Sequence, residues 1–368
     1  KDKCIMKIAI VTIYDGNNFG SFLQAFALKN KIEELGHDVE FIQRMPESDV
    51  LKFYCNLRVS KNRGLILNFL AKTKRFLFNR REDKLRLNNI KKIYPFLKEA
   101  RKELKIINKN NLSDIDLIIC GSDEIWNFDN ESIDVDFYSC INFGKNIKKI
   151  AYAMSIGTTS YDSFFKHQFV IKQIKTFKNI FVRDEETKSI LSKILGKELI
   201  KVCDPTLLVD RSIYIKQKRQ LIKYPYILLY AYSIDASQAY IIKKFAHSKG
   251  LKIITVCNYL DIADEVIQVS PFDFANLIEN AYCCYTSTFH GTIFCTLFAK
   301  RFCVFSRKPK VKDVALYMNI NEHLWDGKNV DSFNKIINNI VDRKIVDKNL
   351  ESIRLSNSNL FSQILKEC

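Results

Sequence analysis

Thr286, Ser287, Thr288, His290 and Gly291 fall within six positions. Tyr282–Tyr285 before them is apolar, and Thr292–Ala299 after them is an apolar run of helical length. Hydroxyls, a histidine and a glycine where a strand becomes a helix make an anion site. The first helical N–H groups lack internal partners, and the helix dipole favours negative charge there. His290 can bind an anion or pass it a proton. The plainer alternative makes Ser287 or Thr288 an N-cap and His290 a satisfied interior side chain. Three further groups stand out. Asn17-Asn18-Phe19-Gly20-Ser21 is a polar turn that lacks the glycine spacing of a dinucleotide loop. In Gly121-Ser122-Asp123-Glu124-Ile125-Trp126-Asn127, Asp123 is a candidate base, and Trp126 either walls a sugar site or packs. Arg183 has the side chain best suited to a bidentate grip on carboxylate or phosphate, unless it pairs with Asp184 or Glu185. Asp114-x-Asp116 and Asp134-x-Asp136 resemble metal-nucleotide pairs, but such pairs are frequent by chance, and we expect no metal site.

The elements between these groups place them on one edge. Lys7–Tyr14 reads as a buried strand, Ser21–Leu35 as an amphipathic helix ended by Gly36, and Asp38–Gln43 as the next strand. Asp116–Gly121, Lys148–Met154, Asn179–Val182 and Leu199–Cys203 follow as strands, with a helix expected over 163–177. A second series starts at Pro225: a strand to Tyr232, a helix over 236–249, a strand over 252–257, and a helix from Ser270 to Asn280. Each chemical group then lies just beyond a strand's carboxyl end, where open α/β sheets bind ligands. The expected fold is α/β, with two Rossmann-like domains facing across a cleft. The expected division is 1–210, 211–330 and a helical 331–368.

Length and composition agree. A chain of 368 residues with 47% hydrophobic content suits two globular cores. Its 11 cysteines form no C-x-x-C pair, which argues for a reducing compartment and against structural zinc. The expected location is cytoplasmic, since no apolar run is long enough to span a bilayer. The net charge of +17 is concentrated: residues 51–110 hold 18 Lys and Arg against 4 Asp and Glu. Leu65, Phe69, Leu70, Phe76 and Leu77 interleave with these cations at helical spacing, as in a basic amphipathic surface. Two readings stay open, a peripheral contact with anionic membrane and a solvated face of an inserted helical region. No nucleic-acid motif accompanies the charge, so none is expected as a partner.

The separated motifs, in order, resemble the polysaccharide pyruvyl transferase family. They are Asn18-Phe19-Gly20-Ser21 with Leu23-Gln24-Ala25-Phe26-Ala27-Leu28; Gly121-Ser122-Asp123-Glu124-Ile125-Trp126-Asn127; and Ala151-Tyr152-Ala153-Met154-Ser155-Ile156-Gly157. Val182-Arg183-Asp184-Glu185, Asp204-Pro205-Thr206 and Thr288-Phe289-His290-Gly291 complete the set. The resemblance implies a fold like that of GT-B glycosyltransferases. It also implies transfer of a pyruvyl group from phosphoenolpyruvate, as co-substrate with no further cofactor, to a sugar of a cell-surface polysaccharide or its lipid-linked precursor. The product would be a cyclic ketal.

By motif, His290 is expected as the acid that contacts donor phosphate, and Asp123 as the base. Arg183, Ser287, Thr288, Phe289 and Gly291 are expected around the donor, which the second domain is expected to hold. Asn18, Gly20, Ser21, Gln24, Ser122, Trp126 and Asn127 are expected on the acceptor side or elsewhere in the cleft. One position departs from the pattern: some members carry an arginine two residues before that histidine, where this chain has Thr288. Two alternatives remain, a GT-B glycosyltransferase using a nucleotide sugar and a non-catalytic docking protein of a polysaccharide assembly complex.

Overall fold

A computed structural model describes residues 5–56, 80–144, 147–305 and 308–368. The apolar residues named at 65–77, and with them most of the membrane reading, lie outside the described residues. The first lobe opens with β1 (Lys7–Val11), α1 (Phe19–Glu34) and β2 (Asp38–Ile42). It continues through α2 (Glu47–Asn56), α3 (Arg80–Ala100), β3 (Ile106–Ile107) and β4 (Leu117–Cys120). Next come β5 (Lys148–Met154), β6 (Asn179–Val182), α4 (Glu185–Leu195) and β7 (Ile200–Lys201). The second lobe runs β8 (Tyr226–Tyr230), α5 (Ala236–Ser248), β9 (Lys252–Val256), β10 (Glu265–Ile267) and α6 (Pro271–Asn280). It is completed by β11 (Cys283–Thr286), α7 (Phe289–Phe298), β12 (Phe302–Val304), α8 (Pro309–Tyr317) and α9 (Val330–Asn338). The last helix is α10 (Arg343–Glu367).

Both sheets are parallel, with orders β3-β2-β1-β4-β5-β6-β7 and β10-β9-β8-β11-β12. Parallel strands are covered by helices on both faces, which is why β4 and β11 are buried along their whole length. In each sheet the chain reverses its direction of winding once, between β1 and β4 and between β8 and β11. The loops after these four strands leave the sheets at the two switch points, where a ligand crevice forms.

Some elements differ from the sequence expectation. The helix expected over 163–177 is two short ones, Tyr161–Phe165 and Gln168–Ile174. α1 starts two residues before Ser21, because the Asn18 side chain, not that of Ser21, caps it. The first half of α1, Phe19 to Leu28, is buried all round. One side meets the first sheet. The other forms an aromatic seam with the second lobe: Phe19 on Phe274 at 5.5 Å between ring centroids, and Phe22 and Phe26 on Phe272 at 5.6 and 5.0 Å. Edge-to-face pairs of this kind add to simple burial. A single apolar cluster therefore runs through both lobes.

α10 straps the lobes together. Near its start, Arg343 donates to the carbonyls of Thr296 and Leu297 in the second lobe. Near its end, the Phe361 ring lies 4.7 Å from that of Tyr152 on β5, and the Asn357 side chain accepts from the Cys203 N–H at 2.8 Å. No helix among the described residues is long and apolar enough to cross a membrane.

Candidate active site

The four switch-point loops enclose a cavity of about 340 Å³. α1 and α7 both point their N-termini at it. Asn18 Oδ1 accepts from the Gly20 N–H at 2.8 Å and so starts α1. Thr288 Oγ1 accepts from the Gly291 N–H at 3.0 Å and so starts α7. Neither helix carries an acidic residue in its first turn, so neither dipole is met there by a carboxylate of its own helix. The two helix ends nearly touch. A Cβ added to Gly20 would fall 2.5 Å from His290 Nδ1 and closer still to its Cβ and Cγ. Asn18 also crosses the cleft, accepting from Tyr230 Oη at 2.6 Å and donating to Tyr232 Oη at 2.8 Å.

Behind this contact runs a buried charge chain. Arg183, at the end of β6, donates through Nη1 to Asp204 Oδ2 at 2.8 Å, and its Nη2 lies 3.4 Å from Asp123 Oδ1. Its guanidinium carbon sits 4.1 Å from the centroid of the Phe289 ring, a cation–π contact. Asp204 Oδ2 is 3.5 Å from His290 Nε2, while Oδ1 accepts from the N–H and hydroxyl of Thr206. Burial alone would raise the Asp204 carboxyl. His290, and after it Arg183, outweigh burial and hold it well below the usual carboxylate range. Asp123–Arg183–Asp204–His290 thus joins the lobes as one chain of polar contacts, three of the four side chains almost wholly buried. At the mouth, Lys308 and Lys310 come from the start of α8. Burial pushes the Lys310 ammonium down to about 8 against the pull of Asp123. Its direct contact with the Glu124 carboxylate acts in the opposite sense.

Of the residues expected from sequence, His290, Asp123, Arg183, Ser287, Thr288, Phe289, Asn18 and Ser21 line the cavity. Six do not, and each has another task. Trp126 is fully buried: its ring meets Phe177 edge-on and its Nε1 donates to the Tyr138 carbonyl, so it walls no sugar site. Gly20 lies beneath His290, and Gly291 packs inside its own cap, against Thr286 and Thr288. Gln24 donates to Thr12 Oγ1 and the Ile13 and Ser21 carbonyls and accepts from the Ser122 N–H, clamping the loops after β1 and β4 together. Ser122 donates to the Ala153 carbonyl, and Asn127 to Glu124 Oε2. Arg183 pairs with neither Asp184 nor Glu185. Asp184 instead caps α4 by accepting from the Thr187 N–H.

The sequence reading missed Asp204, Arg44, Tyr54, Tyr232, Lys308 and Lys310. Asp204 had a signal, its place in the Asp204-Pro205-Thr206 motif directly after a strand, but nothing there assigned it a role. Lys308 and Lys310 sat in a basic run that gave no sign of facing a cavity. Thr288, the position that departs from the expected pattern, is the cap of α7.

Two parallel-sheet lobes facing across a crevice define a GT-B-like α/β fold. The sequence matches the family model for polysaccharide pyruvyl transferase over residues 18–309, and the chain belongs to that family of transferases. No curated protein matches it. Among solved structures, the UDP-GlcNAc 2-epimerase from Methanocaldococcus jannaschii is similar, with a TM-score of 0.52 and 13% identity over 99% of this chain and 100% of that one. The glycosyltransferase SnogD from Streptomyces nogalater matches with a TM-score of 0.42 and 11% identity over 98% of this chain and 99% of that one. The epimerase likeness shows the fold alone.

Proposed function

We propose that the enzyme moves the pyruvyl group of phosphoenolpyruvate onto two hydroxyls of a saccharide, forming a cyclic ketal and releasing phosphate. The convergence of the α1 and α7 N-termini on one cavity, with Arg183 and two lysines around it, carries this reading. The donor has a phosphate and a carboxylate on one enol carbon, and each needs a cation or a helix end. The α7 terminus, with His290, suits the phosphate. Arg183 suits the carboxylate, since its contact with Asp123 is long and its Nε has no hydrogen-bond partner among the described residues.

His290, held beside Asp204, gives a proton to the enol methylene as the first sugar hydroxyl adds to the central carbon and passes its proton to Asp123. The carbon–oxygen bond to phosphate then breaks, and phosphate leaves with the proton taken by Asp123. The second hydroxyl adds to the carbon so freed, and its proton passes through Asp123 to restore His290. Of the two hydroxyl protons, one leaves on phosphate and the other replaces the one now on the methyl. In this reading the second lobe holds the donor phosphate, the first lobe the acceptor and, through Arg183, the donor carboxylate, and the final helices bind the lobes together. The acceptor is lipid-linked, and the basic residues of 51–110 seat the enzyme on the inner, anionic face of a membrane. Cosedimentation with anionic vesicles that is lost at high salt is the expected sign. Equal binding to neutral vesicles removes the membrane from the proposal.

Calorimetry with phosphoenolpyruvate tests the donor. Wild type is expected to bind it, and His290→Ala and Arg183→Ala to bind it about tenfold or more weakly, the worth of one charge-assisted contact. A folded wild type that ignores phosphoenolpyruvate but binds nucleotide sugars would overturn the reading.

A further inference from the structure

The cavity has more in its lining than the residues given to the donor. Arg44, Tyr54, Asn130, Ser132 and Ile133 form a further stretch of its wall. Arg44 pairs with Asp15 at 3.1 Å, and both side chains are more than nine-tenths buried. The Arg44 guanidinium lies 4.4 Å from the Phe53 ring centroid and reaches the Ser132 carbonyl at 3.5 Å. Tyr54 Oη donates to the other Asp15 oxygen at 3.4 Å. Burial, and after it Asp15, push the Tyr54 phenol well above its ordinary value, so it stays a donor. A buried ion pair adds little net stability, so its presence asks for another explanation. Two buried polar atoms on this wall, Arg44 Nε and Asn17 Oδ1, have no hydrogen-bond partner among the described residues.

We propose that this stretch of the cavity, centred on Arg44, Tyr54 and Asn130, is the subsite for an uncharged pyranose ring of the acceptor. The proposal rests on the reading of the enzyme as a transferase acting on saccharide. Asp15 already compensates Arg44, so a carboxylate or sulfate on the ligand gains no free counter-charge here. A cation would meet the guanidinium. What remains is a mixed set of donors and acceptors beside aromatic and aliphatic surface. Sugar hydroxyls both donate and accept, and a ring's C–H face packs on apolar walls. Charge selection at the acceptor subsite is thereby separated from charge binding at the donor.

The test uses the full chain and three probes: methyl β-galactopyranoside, methyl β-glucopyranoside and methyl β-glucopyranosiduronate, read by saturation-transfer NMR. At least one neutral glycoside is expected to bind about tenfold tighter than the uronate. Tyr54→Phe and Arg44→Ala are each expected to weaken it by about tenfold, with phosphoenolpyruvate affinity changed less than about twofold. Tyr54→Phe removes only a hydroxyl, so it decides the matter if Arg44→Ala does not fold. No glycoside binding to wild type, a preference for the uronate, or neutral binding untouched in Tyr54→Phe would overturn the proposal. The two readings fail separately. Glycoside binding that depends on Tyr54 without phosphoenolpyruvate binding would sink the donor assignment alone. Phosphoenolpyruvate binding that depends on His290, with glycosides indifferent to Tyr54, would sink this one alone.

Discussion

Asp204→Asn is expected to lower kcat/KM by about 10²- to 10³-fold and to destabilise the fold by about 3 kcal/mol. The substitution keeps the shape and leaves one oxygen to accept from Thr206. It removes the one carboxylate that lies between Arg183 and His290, and can set an amide N–H against both. The Arg183 guanidinium is then buried without its nearest counter-charge, the costly half of breaking a buried pair. The pH dependence has a definite sign. The unfolded carboxyl takes up a proton near pH 4, and the native one resists until lower pH, so acid favours unfolding. The stability gap between wild type and Asp204→Asn is therefore constant above about pH 5 and narrows below about pH 4. Urea titrations across that range, with steady-state kinetics at neutral pH, measure both effects. Wild-type kinetics in a variant that is equally stable would end the case for Asp204.

Gly20→Ala is expected to reduce kcat by about 10²-fold while costing only about 1–3 kcal/mol of stability. The reason is space, not backbone freedom, since Gly20 sits in an ordinary helical turn. A methyl there claims the volume held by the His290 ring. Either α1 withdraws or His290 turns, and both separate the two helix ends that converge on the cavity. The comparison of kcat with Tm distinguishes this from a general packing fault. A Tm drop in proportion to the loss of activity would count against it.

The two sheets were legible because strands buried on both faces leave uninterrupted apolar runs, such as Leu117–Cys120 and Cys283–Thr286. β3 and β10 were not, because two or three residues at a sheet edge leave no period to read. The site was half legible for a similar reason. Strand-end loops can be found from sequence, so His290, Arg183 and Asp123 were placed in one crevice. Which way a side chain turns within a loop cannot be read from its type. Trp126 turns inward to hold Tyr138, and Lys310 turns toward the cavity from a stretch of which the sequence gave no reading. Asp204 was visible as part of a motif, but not that one of its oxygens turns to Thr206 and the other to Arg183. Arg44 stands alone in a polar turn, and only the fold brings Asp15 to it.

The strap formed by α10 has a consequence for how the protein is made. Tyr152 lies within the first sheet, yet the ring that covers it, Phe361, follows the whole second lobe in the chain. The first lobe therefore leaves the ribosome with an apolar face it cannot yet close, and waits for the whole second lobe before it can do so. Its hydrophobic surface stays available to chaperones throughout synthesis. A chain cut short before Phe361 loses the cover of its oldest part rather than its newest.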